Sequence, residues 1–108
     1  MRVAERVWVS GTAPIPPGGG EPPTGAYAQA ALCFEIIDTA LAQAGAGLGD
    51  VVRSRLYLAR ADDFAEVGRA HREALGETAP ACTAVVVELL DPRWLVEIEV
   101  DALVGTTG

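Results

Sequence analysis

Hydrophobic and polar residues alternate most strictly near the carboxyl end, where Val96, Ile98, Val100, Ala102 and Val104 are interleaved with Glu97, Glu99 and Asp101. A period of two belongs to a strand with one buried face and one polar face, so this strand has an apolar underside and an acidic upper side. The run that begins at Pro80 reads as a preceding strand. Asp91, Pro92 and Arg93 form the turn between them, because proline presets φ for a turn and brings no donor to a ladder. The pair is predicted as a hairpin. Two further strands are expected. Arg6 to Ser10, Arg-Val-Trp-Val-Ser, is a short β-branched and aromatic run ending at Gly11, with little chain before it to form a lead-in. Val51 to Arg60 places Val52, Leu56 and Leu58 on one face and Arg53, Arg55 and Tyr57 on the other.

Elsewhere the period lengthens. Ala30, Phe34, Ile37, Leu41 and Ala44 keep the spacing of one helical face, predicting a helix from about Ala26 to Ala44 with Thr24 as its cap and Gly45 and Gly47 as its stop. A second helix is expected after Asp62 and Asp63, with Phe64, Val67, His71 and Leu75 as its inner stripe and Gly76 at its end. Between Thr12 and Gly25 stand five of the seven prolines and four glycines, a composition that holds neither helix nor central strand and reads as a loop. Its glycines match neither a phosphate loop nor a dinucleotide fingerprint. The order of elements predicts one α+β domain over residues 1–108, a single mixed sheet with both helices on one face. The strand faces bearing Arg53, Arg55, Glu97 and Glu99 would lie opposite the helices, free to pack against neighbouring subunits.

Charge and composition narrow the chemistry. Fifteen acids against eight bases give a net charge of −7, which repels phosphate backbones and acidic membrane surfaces. Every base is an arginine, so no lysine is present to form a Schiff base. No apolar run reaches the length of a membrane span and no signal-peptide pattern opens the chain, so a soluble, cytoplasmic protein is expected. One histidine, His71, and two cysteines, Cys33 and Cys82, offer no metal-ligand spacing. No metal site is expected, and His71 reads as a packed, hydrogen-bonded core residue. Half of the residues are hydrophobic, which favours association between copies of a chain this short.

Several short segments together resemble one family. Trp8-Val9-Ser10-Gly11, Tyr27-Ala28-Gln29, Leu48-Gly49-Asp50-Val51-Val52, Asp63-Phe64, Pro80-Ala81 and Val96-Glu97-Ile98-Glu99 look like the reactive intermediate deaminase (RidA/YjgF) family. The resemblance implies a chorismate-mutase-like subunit, a homotrimer with ligand clefts between subunits, and cofactor-free hydrolysis of enamines or imines such as 2-aminoacrylate to a keto acid and ammonia. It makes Glu97 the acid that positions or activates the attacking water, and Ser10 and Gly11 part of the pocket lining. The family arginine that holds a substrate carboxylate falls at Cys82, and the cysteine expected two residues on falls at Ala84. A tyrosine ahead of the first strand has no counterpart before Arg6. Arg55 is expected on the sheet surface that carries Glu97, as a cleft residue or as an ion-pair partner of Glu97 or Glu99.

The function implied is a homotrimer that binds or processes a small enamine- or imine-type metabolite, with the usual 2-imino acid deamination at odds with Cys82. One alternative is an enzyme for a neutral or differently charged imine, and another is a small-molecule-binding or regulatory protein without turnover. Ribonuclease or translation-inhibitor activity, described for some relatives, fits the acidic balance poorly.

Overall fold

The computed structural model describes residues 1–105. Seven elements follow one another: β1 (Arg2–Val3), β2 (Arg6–Thr12), α1 (Ala26–Gln43), β3 (Val51–Leu58), α2 (Phe64–Leu75), β4 (Ala81–Val86) and β5 (Val96–Leu103). Single 3-10 turns precede β3 and α2 and follow α2. The five strands form one sheet in the order β1-β2-β5-β3-β4, in which β4 runs parallel to β3 and every other pairing is antiparallel. Two parallel strands need a crossover between them, and α2 supplies it.

The expected hairpin between the last two strands is not formed. Both edges of β5 are occupied, by β2 on one side and β3 on the other, and β4 pairs with the far edge of β3. Residues 87–95 cross between them as a long loop, tied to β3 by Val87 N–H to the Leu58 carbonyl at 2.9 Å and Ala59 N–H to the Leu95 carbonyl at 3.0 Å.

The alternation in β5 emerges as predicted, with Val96, Ile98, Val100 and Ala102 buried and Glu97, Glu99 and Asp101 on the opposite face. Helix α1 buries Ala26, Ala30, Cys33, Phe34, Ile37 and Leu41 against that apolar side. Helix α2 joins through Val67, Ala70 and Leu75. The two helices are tied at the surface, where Tyr27 donates to Glu73 and stacks under the Arg69 guanidinium at 3.6 Å.

Four local expectations are corrected. Thr24 does not cap α1; the cap position is Gly25, at φ 93° and without a side-chain bond, a backbone shape that favours glycine. Phe64 is 53% exposed, because it opens α2 directly after a 3-10 turn and the buried stripe starts one turn later. Val52 is 42% exposed, since the register with β5 slips between Val51 and Arg53 and turns Val51 inward in its place. The chain before Arg6 does form a lead-in: Arg2 and Val3 fold back on Val7 and Arg6 as β1, through a tight turn that holds Ala4 at φ 52°.

Candidate functional site

The site begins with a mismatch between two strands. Val9 pairs with Val100 and Thr12 with Ile98, so Ser10 and Gly11 together oppose the single residue Glu99. Such a bulge bends its strand and re-aims the side chains beside it, and bulges are common next to active sites. Here it turns Thr12 inward, where the residue is buried and its carbonyl accepts from Cys33 Sγ at 3.3 Å. The Thr12 hydroxyl donates back to the Ser10 carbonyl at 3.0 Å. Gly11 is left against Glu97: a β-carbon at this position would collide with the Glu97 carboxylate. Only a residue without a side chain allows the acid to lie there.

Glu97 is half-buried and, among the described residues, makes no hydrogen bond or ion pair. Its neighbours explain why. Tyr57, its register partner on β3, donates its hydroxyl to Glu99 Oε1 at 2.5 Å. Arg55 reaches away from Glu97, to Glu99 at 3.6 Å and Asp101 at 3.5 Å. The Tyr57 hydroxyl is raised above its ordinary range by that bond to Glu99, by burial and by the nearby negative charge. Beneath the site, burial and the charge of Glu97 push the Cys33 thiol up to about 12, so Cys33 stays a neutral packing residue at any physiological pH.

Cys82 and Ala84 lie elsewhere. Their register partners on β3 are Ser54 and Leu56, and neighbours in register project to the same side of a sheet. Ser54 is wholly buried and bonded to His71 Nε2 of α2 at 2.8 Å, so that side is the helix side. Cys82 is exposed there at the sheet's edge, while Glu97 occupies the opposite face with β3 between them. Within one chain the structure therefore brings Ser10, Gly11 and Glu97 together, places Arg55 farther along the same face, and keeps Cys82 and Ala84 apart from all four. His71 packs edge-on against Phe34, with centroids 5.8 Å apart, and burial lowers its pKa.

Two contributors were not singled out for the site by sequence reasoning. The alternation places Tyr57 on the correct face, but its bond to Glu99, which leaves Glu97 free, is a cross-strand relation invisible in a local pattern. Gln29 is 3% exposed. Its amide donates to the carbonyls of Pro23 at 3.0 Å and Arg93 at 3.1 Å and accepts from Leu95 N–H at 2.7 Å, two residues before Glu97. A glutamine among the small and apolar residues of a buried stripe was the available signal.

Residues 1–104 match the family model described as endoribonuclease L-PSP. A RutC family protein of Pyrococcus abyssi is 37% identical over 92% of this chain and 79% of its own length. Among solved structures, a Mycobacterium tuberculosis member of the YjgF/YER057c/UK114 family is 38% identical, covers 95% of this chain and 82% of its own, and superposes with a TM-score of 0.86. Escherichia coli TdcF, solved with bound serine, is 26% identical over 95% of this chain and 84% of its own, with a TM-score of 0.88; its name proposes a reactive intermediate deaminase. With its mixed sheet, its two helices on one face and these matches along nearly its whole length, the chain belongs to the RidA/YjgF family.

Proposed function

We propose that the protein is a cofactor-independent hydrolase of a small enamine- or imine-type metabolite, with Glu97 as the group that activates water. The observation that carries this reading is an unpaired, half-buried carboxylate held against a glycine at a β-bulge. A carboxylate without a partner is available to take a proton, whereas Glu99 and Asp101 are engaged. Attack by water on the carbon of the protonated imine passes one proton to Glu97 and forms a neutral carbinolamine. Return of that proton to nitrogen makes ammonia the leaving group, and its C–N bond breaks as the hydroxyl proton passes to Glu97 and the carbonyl forms; that proton leaves with ammonia as ammonium. Serine bound to TdcF supports a site scaled to a molecule of a few heavy atoms. An RNA substrate is disfavoured by the net charge of −7 and by the free acid itself.

The reading extends to assembly. Cys82 and Glu97 lie on opposite faces, about 10 Å apart along the strands and about 10 Å across them from ordinary sheet spacings, so one chain cannot close a pocket with both. A homotrimer in which β4 of one copy meets the outer sheet face of the next supplies the missing wall. The test is the release of carbonyl product from imines generated in situ by an amino-acid or amine oxidase. Glu97→Gln is expected to lower the protein-dependent rate by about 100-fold or more, the range of general-base contributions. Full activity in that variant, or no protein-dependent rate with any imine, overturns the proposal.

A further inference from the structure

We infer that this site selects imines that carry no carboxylate, neutral or protonated, over the corresponding 2-imino acids. The inference rests on the reading of Glu97 given above and adds the charge of its substrate. Among the described residues the outer sheet face holds three arginines, and all stand away from Glu97. Arg6 is in register with Leu103, at the opposite end of β5. Arg53 is in register with Asp101 on β5, four residues and about 13 Å along β3 from Tyr57, the partner of Glu97. Arg55 is held by Glu99 and Asp101.

Immediately around Glu97 are Gly11, Ser10 and Tyr57, and Tyr57 is in turn beside Val85 on β4. None is a cation. The two residues of β4 expected to reach the cleft from another copy, Cys82 and Ala84, are uncharged as well. A carboxylate entering this space meets the negative charge of Glu97 with no guanidinium to offset it, while a protonated imine, R₂C=NH₂⁺, is attracted by the same charge. Hydrolysis balances as R₂C=NH₂⁺ + H₂O → R₂C=O + NH₄⁺. The reaction that supplies such a substrate is one that oxidises an amine to an imine, because oxidation of an amino acid would leave the carboxylate in place.

A matched pair isolates the charge. Oxidation in situ of 3-methylbutylamine and of leucine yields imines of the same side chain that differ only in the carboxylate, and the release of aldehyde or keto acid is followed above the spontaneous rate. The expected result is a kcat/KM at least about tenfold higher for the imine without the carboxylate, a modest value for one unscreened like charge in a partly buried site. Equal rates, or preference for the 2-imino acid, overturn the charge selection while leaving imine hydrolysis standing. Acceleration of neither overturns both. Cys82→Arg, at an exposed position that tolerates the longer side chain, is expected to move the ratio toward the 2-imino acid by about tenfold. An unchanged ratio in that variant counts against the inference.

Discussion

Gly11 and Glu97 constrain each other. Gly11→Ala leaves the backbone in an allowed shape but drives a β-carbon into the carboxylate, and the far end of a flexible side chain is what must move. Thermal denaturation is expected to register a change within about 1 kcal/mol, while the proposed imine hydrolysis falls with the displaced acid; a stable variant of unchanged rate would separate Glu97 from the chemistry. His71 makes a different prediction. Its pKa lies below the usual 6.5, through burial first and the charge of Arg72 second. The unfolded chain then binds the proton more readily, so stability is complete above pH 6.5 and declines as pH falls below it toward the folded-state value. His71→Gln is expected to flatten the melting temperature between pH 7 and 5. Asp91 acts in a separate window. Hydrogen bonds from the Arg93 side chain and backbone hold its carboxyl down to about 2, so its contribution is present above 3.8 and lost as pH falls toward 2.

At the scale of elements, Gln29 fastens two loops to one helix. Gln29→Leu strands the carbonyls of Pro23 and Arg93 and the Leu95 amide, and chemical denaturation is expected to show a loss of roughly 3 kcal/mol, the upper end of the cost of one buried unsatisfied group because all three are only partly buried. Periodicity was informative wherever a strand kept its phase: the two faces of β5 and the buried stripe of α1 were legible because period two and period 3.6 each map directly onto one face. It failed where phase slips. The slip at Val52 reversed an inside-outside assignment, and the bulge at Ser10 and Gly11 became visible only beside its partner strand. Strand adjacency was equally hidden, because a turn at Pro92 says that the chain bends and not which edge it returns to. Glu97 could be placed on the polar face from the pattern alone, but its lack of a partner depends on Tyr57 and Arg55 attending to its neighbours.

For the whole molecule, the exposed surface is informative. Strand β4 is exposed along all its length, with Val85 and Val86 41% and 56% exposed, an uncovered apolar edge of the kind that proteins protect with charge or with another chain, and Trp8 on β2 and Leu103 on β5 add apolar area to the sheet surface away from that edge. If the proposed trimer uses this edge, Val85→Lys shifts sedimentation velocity from trimer toward monomer and lowers hydrolysis in parallel. A variant that sediments as wild type places the association elsewhere.

The sheet order sets Glu97 on a central strand and Cys82 on an edge strand facing the other way. If the proposed trimer completes the site between copies, two differently damaged chains should repair one another. A Glu97→Gln chain and a Cys82→Trp chain, each inactive alone, are expected to regain activity when denatured together and refolded as mixed rings, since about a quarter of junctions in a random mixture unite the intact acid of one with the intact edge of the other. Mixing the folded proteins without denaturation provides the control, and recovery confined to the co-refolded sample would show genetic complementation written into the order of five strands.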